Sequence, residues 1–200
     1  MVDCRWILSV ATAENGQLTR YAGLIARVNV GRNRISMAEL REAMEREGFA
    51  NVETVVASGN VLFDHEPRPS AGIAEKLGLL ITERFGFDTF AIVLTREELA
   101  AVIDADPFAG EGEDKFVHTH FLQDPLDPIA FNAMMAAYQG RGAERIVAGP
   151  KAGSVPTIHV DYVEGAGNSR LTPAFIERRL GTQHTARNRS SLRRILDKMG

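Results

Sequence analysis

Apolar and polar residues form a repeated strand and helix pattern between residues 21 and 94. Residues 21–28 are apolar over the length of a strand, and apolar residues recur at helical spacing from Met37 onward. Two strand-length runs then flank a Ser58-Gly59-Asn60 turn, followed by a second helical stripe and a last apolar run. The resulting order is strand, helix, strand, strand, helix, strand, which is typical of a split βαβ, or ferredoxin-like, unit.

Residues 95–200 repeat this order less completely. The pattern predicts a strand at 116–122, a helix at 128–138, two strands at 145–148 and 157–161, a helix from Thr172 and a terminal helix at about 190–199. We therefore predict an α+β protein of two ferredoxin-like (split βαβ) sandwich domains with antiparallel sheets. The predicted division is an N-terminal extension at 1–20, a first domain at 21–94, and a second domain at 95–200 that includes the terminal helix.

Local signals support the predicted helix boundaries. Ser36 with Glu39, and Thr95 with Glu98, have the spacing of capping boxes, in which the two side chains bond each other's backbone amides. Pro173 stands at a favoured first helical position. These signals predict helices that begin after Ser36, Thr95 and Thr172.

Composition limits the class of protein. Of the 200 residues, 44% are hydrophobic and 24% are charged, as in ordinary globular proteins. Apolar runs stay shorter than the ~18–20 residues that a membrane-spanning helix needs. The single cysteine, Cys4, excludes an internal disulfide framework and is compatible with a reducing cytoplasm, where we expect the protein to reside.

Positive charge is concentrated in the last 31 residues, which carry a net charge of +6, against −3 for the whole chain. On the terminal helix, Arg189, Arg193, Arg194 and Lys198 are predicted to lie opposite the apolar stripe. Such a face attracts phosphate groups, including those of nucleic acids. The alternative is a solvated face that balances the acidic stretch between residues 97 and 161.

Two glycine-bearing loops lead into predicted helices, at residues 29–35 and 165–171. Helix N-termini and close backbone amides favour anions, and neighbouring arginines add charge-assisted contacts. Neither loop has the spacing of a Walker A or dinucleotide-binding motif. Each loop is therefore either an anion-binding element or simply a turn.

Few residues suggest catalysis or metal binding. His118 and His120 share one face of a predicted strand, and His159 and Asp161 share a face of another, so neighbouring strands could bring the four to a metal. A polar sheet surface explains them equally well, and we predict neither a metal nor a cofactor. Because Ser58 has no identifiable base, we name no catalytic residue and leave enzymatic activity open, with a binding role favoured.

Four segments in order resemble a family known as domain of unknown function 1697. They are LIARVNVG at 24–31, SGNVLF at 58–63, NSRLT at 168–172 and TARN at 185–188. The resemblance implies two ferredoxin-like domains and no established activity. In this chain Arg27 stands one place later than the family's arginine, Arg170 replaces its usual lysine, and Arg189 replaces a favoured tryptophan.

These observations lead to a first hypothesis of a module that binds a phosphate-bearing small molecule or nucleotide through polar loops. Under it, replacing Arg170 and Arg187 abolishes anion binding and leaves thermal stability nearly unchanged. The alternatives are nucleic-acid binding by the terminal helix, or motifs that only fasten the two domains together. The candidate ligand-binding residues are Arg27, Asn29, Gly31, Arg32, Ser58, Asn60, Ser169, Arg170, Arg187 and Asn188.

Overall fold

The computed structural model describes residues 18–29, 31–55, 59–150 and 155–200. Its first sheet has the strand order β2-β3-β1-β4, and every pairing in it is antiparallel. The strands and helices of this first unit are β1 (Thr19–Ile25), α1 (Met37–Arg46), β2 (Ala50–Thr54), β3 (Asn60–His65), α2 (Ser70–Phe85) and β4 (Ala91–Thr95).

The second sheet has the equivalent order β6-β7-β5-β8, again antiparallel throughout. Each sheet therefore has the ferredoxin-like arrangement, in which the first and third strands of the unit are central, and the predicted fold class is confirmed. The remaining elements are α3 (Arg96–Asp104), β5 (Val117–Leu122), α4 (Pro128–Tyr138), β6 (Arg145–Ala148), β7 (Thr157–Asp161), α5 (Pro173–Leu180), β8 (His184–Asn188) and α6 (Arg189–Lys198).

The sequence pattern missed β8, which is the strand that completes the second unit. Its residues, His-Thr-Ala-Arg-Asn, include no large aliphatic side chain, so no alternation of apolar and polar positions marks them. The strand nevertheless pairs with β5 along its whole length, from Leu122 opposite His184 to His118 opposite Asn188. Tertiary pairing, rather than local pattern, defines this strand.

The predicted capping signals have different outcomes. At Thr95 both halves of the capping box form, since Thr95 accepts from the Glu98 amide and Glu98 accepts from the Thr95 amide. At Ser36 the helix begins as predicted, but the serine side chain forms no capping hydrogen bond. The capping-box prediction at Ser36 is therefore wrong.

Three buried clusters hold the two sheets and their helices together. Helices α1 and α2 cover one face of the first sheet, where Phe63 and Leu77 are fully buried. The opposite face shares a cluster with α3 and α6, which includes Leu24, Leu99 and Leu192. A third cluster packs α4 and α5 against the second sheet. The C-terminal helix thus packs with the first sheet, although it follows the second in sequence.

Within the described residues, the longest apolar stretches in helices are too short or too polar to cross a membrane.

Candidate functional site

Arg187 of β8 connects the second sheet to the first. Its guanidinium donates to the backbone carbonyls of Ile25 at 3.0 Å and Gly59 at 3.2 Å, and to the side-chain oxygen of Asn60. It also donates to Thr185 Oγ1 at 2.7 Å and to the carbonyl of residue 186 at 2.8 Å. We call these residues the Arg187 junction. One side chain here ties the ends of β1 and β3 to β8.

The charge of Arg187 has no carboxylate partner among the described residues, since its acceptors are carbonyls, an amide and a hydroxyl. Burial lowers the pKa of Arg187 to about 10, so the guanidinium stays charged at neutral pH. A guanidinium has five N–H donors, and five acceptors surround this one. Arg187 is therefore a structural cross-link with no donor left for a ligand.

Gly59 allows the turn before β3 to lie close to the end of β1 at the Arg187 junction. The residue has φ of +73°, and a Cβ atom there would lie 2.7 Å from the Ile25 carbonyl oxygen. Any other side chain would push β1 away from the turn. Ser58, the neighbouring candidate, lies outside the described residues.

The loop after β1 is held by its own polar groups. Asn29 has φ of +58°, its Oδ1 accepts from the Ile35 amide at 3.1 Å, and its own amide donates to the Asn33 carbonyl at 2.7 Å. Arg27, at φ of +57°, forms a half-exposed ion pair with Glu177 of α5 at 3.3 Å. The polar side chains of this loop thus order the loop and link it to the second unit. The remaining candidates in it, Gly31 and Arg32, are exposed.

Ser169 and Arg170 lie at a separate place, which we call the loop cavity. This cavity of about 250 Å³ is formed by residues 141–144, between α4 and β6, and by residues of the segment between β7 and α5. Arg170 and Arg141 both line it, and neither forms an ion pair within the described residues. The Arg141 guanidinium lies 5.8 Å from the ring centroid of Phe175.

A carboxylate held by hydroxyl groups forms part of the cavity wall. Glu144 accepts from Tyr138 Oη at 2.7 Å and from Ser169 Oγ. Burial disfavours its charge, but these two hydrogen bonds hold the pKa of Glu144 below its ordinary value. The loop cavity therefore combines an ionised acceptor with two guanidinium groups that form no ion pair with any described residue.

The candidate residues consequently do not form one site. Arg27, Asn60 and Arg187 belong to contacts between the two units, whereas Ser169 and Arg170 belong to the loop cavity. Within the described parts of the chain, no hydrogen bond or ion pair joins Arg170 to the junction. Asn188 has a local role, because its Oδ1 accepts from the Ser191 amide at 2.9 Å and caps α6.

The predicted basic face of α6 is largely neutralised. Arg189 is only 4% exposed, where the sequence pattern places it on the open face, and its Nε donates to Asp106 Oδ2 at 2.6 Å. It also pairs with Asp114 at 3.1 Å. Because β8 ends directly before α6, the first helical residue is held against the loop that follows α3. Arg193 pairs with Asp114 and Lys198 with Glu53.

The histidines do not converge in the way that a shared metal requires. The register places Thr119 opposite His159, so His159 and Asp161 lie on the opposite face of the sheet from His118 and His120. The suggestion that these four residues meet is therefore wrong. The pairing register of β5 and β7 determines which face each histidine occupies, because a shift of one residue would reverse the faces. The sequence of one strand does not reveal this register.

His120 instead meets a histidine that the sequence pattern did not indicate. Its Nδ1 lies 3.1 Å from Nδ1 of His184, and its Nε2 lies 3.1 Å from Oη of Tyr162, which lines the loop cavity. Burial lowers the pKa of His120 well below its ordinary value and also lowers the pKa of His184, so both rings are neutral at pH 7. His184 was missed because it lies on β8.

The fold and these contacts define a tandem ferredoxin-like α+β protein, in which the second unit carries a polar cavity. The family described as protein of unknown function (DUF1697) matches residues 18–151, and the chain belongs to this family. The conserved bacterial protein SP0830 from Streptococcus pneumoniae has a similar structure, with a TM-score of 0.67 and 23% sequence identity. That match covers 92% of this chain and 99% of SP0830, and it shows the fold alone. A comparison with curated proteins gave no significant match.

Proposed function

We propose that this protein binds a phosphate-bearing small molecule in the loop cavity, with Arg170 and Arg141 holding the phosphate. The observation that carries the proposal is that two guanidinium groups line one cavity without a carboxylate partner among the described residues. Guanidinium groups bind phosphate oxygens through paired, charge-assisted hydrogen bonds. Most other arginines that the sequence singles out already have acceptors, as Arg27, Arg187 and Arg189 do.

The rest of the cavity wall favours a ligand that also carries hydroxyl groups. Glu144 and Glu164 line the cavity, and carboxylates accept hydrogen bonds from hydroxyl groups but repel a second anion. A sugar phosphate satisfies both sets of groups, because its phosphate and its hydroxyl groups are separated in space. Inorganic phosphate alone leaves the carboxylates without a donor.

Under this proposal the candidate residues have different roles. Ser169 and Arg170 belong to the binding site, whereas Asn60 and Arg187 hold the two units together. Arg27, Asn29, Gly31, Arg32 and Ser58 remain predicted loop residues with no assigned ligand contact.

Nucleic-acid binding by α6 is a weaker candidate. Of its four basic residues, three form ion pairs with carboxylates, which leaves Arg194 alone with no such partner among the described residues. We infer no catalytic residue in the loop cavity. The single cysteine supports a cytoplasmic location.

The proposal is tested by isothermal titration of the purified chain with ribose 5-phosphate, glucose 6-phosphate, adenosine monophosphate and inorganic phosphate. We expect at least one sugar phosphate to bind more tightly than inorganic phosphate. We expect the Arg141→Ala/Arg170→Ala variant to lose about tenfold or more in affinity, with an unchanged melting temperature.

The matched control is Arg178→Ala/Arg194→Ala, which removes two exposed arginines that do not line the cavity. This control should bind as the wild type does. Unchanged affinity in the Arg141/Arg170 variant, or no binding by any of the four ligands at millimolar concentration, would contradict the proposal.

A further inference from the structure

The outer edge of β4 borders a second cavity, which we call the edge groove. β4 is the last strand of the first sheet and pairs with β1 alone among the described strands. The groove has a volume of about 510 Å³. It runs between α2 on one side and residues 122–123 and 155–156 on the other.

The backbone of β4 offers hydrogen-bonding groups to this groove. The Ala26 amide donates to the Phe90 carbonyl at 2.9 Å, so Phe90 faces β1. Because backbone groups in an antiparallel strand alternate between its two sides, Ile92 also faces β1, and the N–H and C=O groups of Ala91 and Val93 point into the groove. An open strand edge of this kind is a template for an added strand.

The groove walls leave room for the side chains of an added strand. On the α2 side the lining residues include Ala71, Ala74 and Gly78, which are small, and Leu79, which is 56% exposed. The opposite wall includes Val155 and Pro156. Side chains of an extended segment alternate between two faces, so each face of that segment would meet an apolar wall.

The charges around the groove indicate which segment fits. Glu75 and Asp88 line the groove, are exposed, and form no ion pair with any described residue. They favour an occupant with basic side chains. A second copy of this chain would bring its own Glu75 and Asp88 into the same groove, and this added negative charge disfavours pairing through two β4 edges.

We propose that the edge groove binds an extended segment of a partner protein, with apolar residues at alternate positions and lysine or arginine near its ends, which adds to the first sheet as a fifth strand beside β4. This inference concerns the outer edge of the first sheet and is independent of ligand binding in the loop cavity.

The test is selection of random twelve-residue peptides on phage against the whole chain, followed by affinity measurement of the enriched peptides. We expect enriched sequences that alternate β-branched or aromatic residues with polar ones and carry at least two basic residues. The variant Glu75→Lys/Asp88→Lys should weaken these peptides about tenfold or more. The control Glu83→Lys/Asp104→Lys, which makes the same change at exposed carboxylates outside the groove, should not.

Methylation of the backbone amides of an enriched peptide tests strand addition separately from recognition of the peptide's basic side chains. Methyl groups on alternate amides should abolish binding when those amides face β4, and have little effect when the other set is methylated. Equal binding by both methylated peptides would overturn the proposal, as would the absence of enriched basic peptides. A concentration-dependent dimer that excludes the peptides would also overturn it, by assigning the edge to a second copy.

Discussion

The two sheets of this protein share one strand order but differ in what they bury. Among the described residues of the first sheet and its turns, the buried polar side chains are those of Asn60 and His65. Among the described residues of the second sheet and its connections they are far more numerous: Asp106, Thr119, His120, Thr157, His159, Asp161, Thr182, His184, Thr185 and, at the start of α6, Arg189. The same topology therefore accepts few buried polar side chains or many beside its apolar core, and most of the polar ones have hydrogen-bond partners.

Some buried polar atoms in the second sheet have no hydrogen-bond partner among the described residues. The buried side-chain atoms without a hydrogen-bond partner among the described residues are Thr157 Oγ1, His159 Nε2, His184 Nε2 and Arg189 Nη2. All of them belong to the second sheet or to the first residue of α6. Because a buried polar group without a partner costs free energy, we expect these atoms to lower the stability of the second unit. That unit also carries the loop cavity.

The largest expected effect is the loss of Arg189, because it leaves Asp106 buried without its cation. Arg189→Ala should lower the free energy of unfolding by about 3–5 kcal/mol. Urea denaturation measures this, with Arg194→Ala on the same helix expected to stay within about 0.5 kcal/mol of the wild type. A loss below about 1 kcal/mol for Arg189→Ala would mean that the ion pair contributes little.

Replacement of Arg187 should lower the free energy of unfolding nearly as much. Arg187→Ala leaves the carbonyls of Ile25 and Gly59 without their donor at the contact between the sheets, and we expect a loss of about 2–4 kcal/mol. This reverses the expectation from the sequence that its replacement leaves stability unchanged. Arg187→Lys should recover little, since an ammonium group cannot reproduce the planar set of five donors. A melting temperature within about 2 °C of the wild type for Arg187→Ala would refute the structural role.

Acid should destabilise the second unit. Burial lowers the pKa of His118, His120, His159 and His184 below the ordinary value of 6.5, so the unfolded chain binds more protons than the folded one in acid. The stability that these neutral rings contribute is present above pH 6.5 and is lost as the pH falls below it. Urea denaturation between about pH 7.5 and 5 should show a falling free energy of unfolding.

The variant His120→Gln checks the source of this acid sensitivity. It removes one titrating ring and keeps a hydrogen-bonding side chain beside His184 and Tyr162. The loss of stability between neutral and acidic pH should become smaller. Equal stability of the wild type at the two pH values would show that the buried rings do not govern it.

The smallest expected losses of stability come from substitutions at the N-caps of α3 and α1. Thr95→Ala removes a capping box that forms with both of its hydrogen bonds and should cost about 1 kcal/mol. Ser36→Ala removes a side chain that makes no capping bond and should cost no more than a few tenths of a kcal/mol. The melting temperatures of the two variants measure this difference. A larger loss of stability for Ser36→Ala than for Thr95→Ala would contradict the prediction.

Local sequence by itself determined most of the elements and their order. Helix α4 and strands β6 and β7 begin and end where the pattern places them, because proline, capping residues and apolar periodicity act within a few neighbouring residues. The two-unit α+β class follows from that order. The sequence also predicts the apolar stripe of α6, since Leu192 and Ile195 recur at helical spacing and both are buried.

Tertiary structure alone decided the rest. β8 exists because β5 pairs with it, Arg187 and Arg189 are buried because distant oxygens accept from them, and His120 meets His184 because of the strand register. These outcomes depend on groups 60 or more residues apart in the chain, and a hydrogen bond between such groups leaves no periodic trace in either segment. For the same reason, arginines that look alike in sequence divide here into structural cross-links and cavity-lining groups that form no ion pair with any described residue.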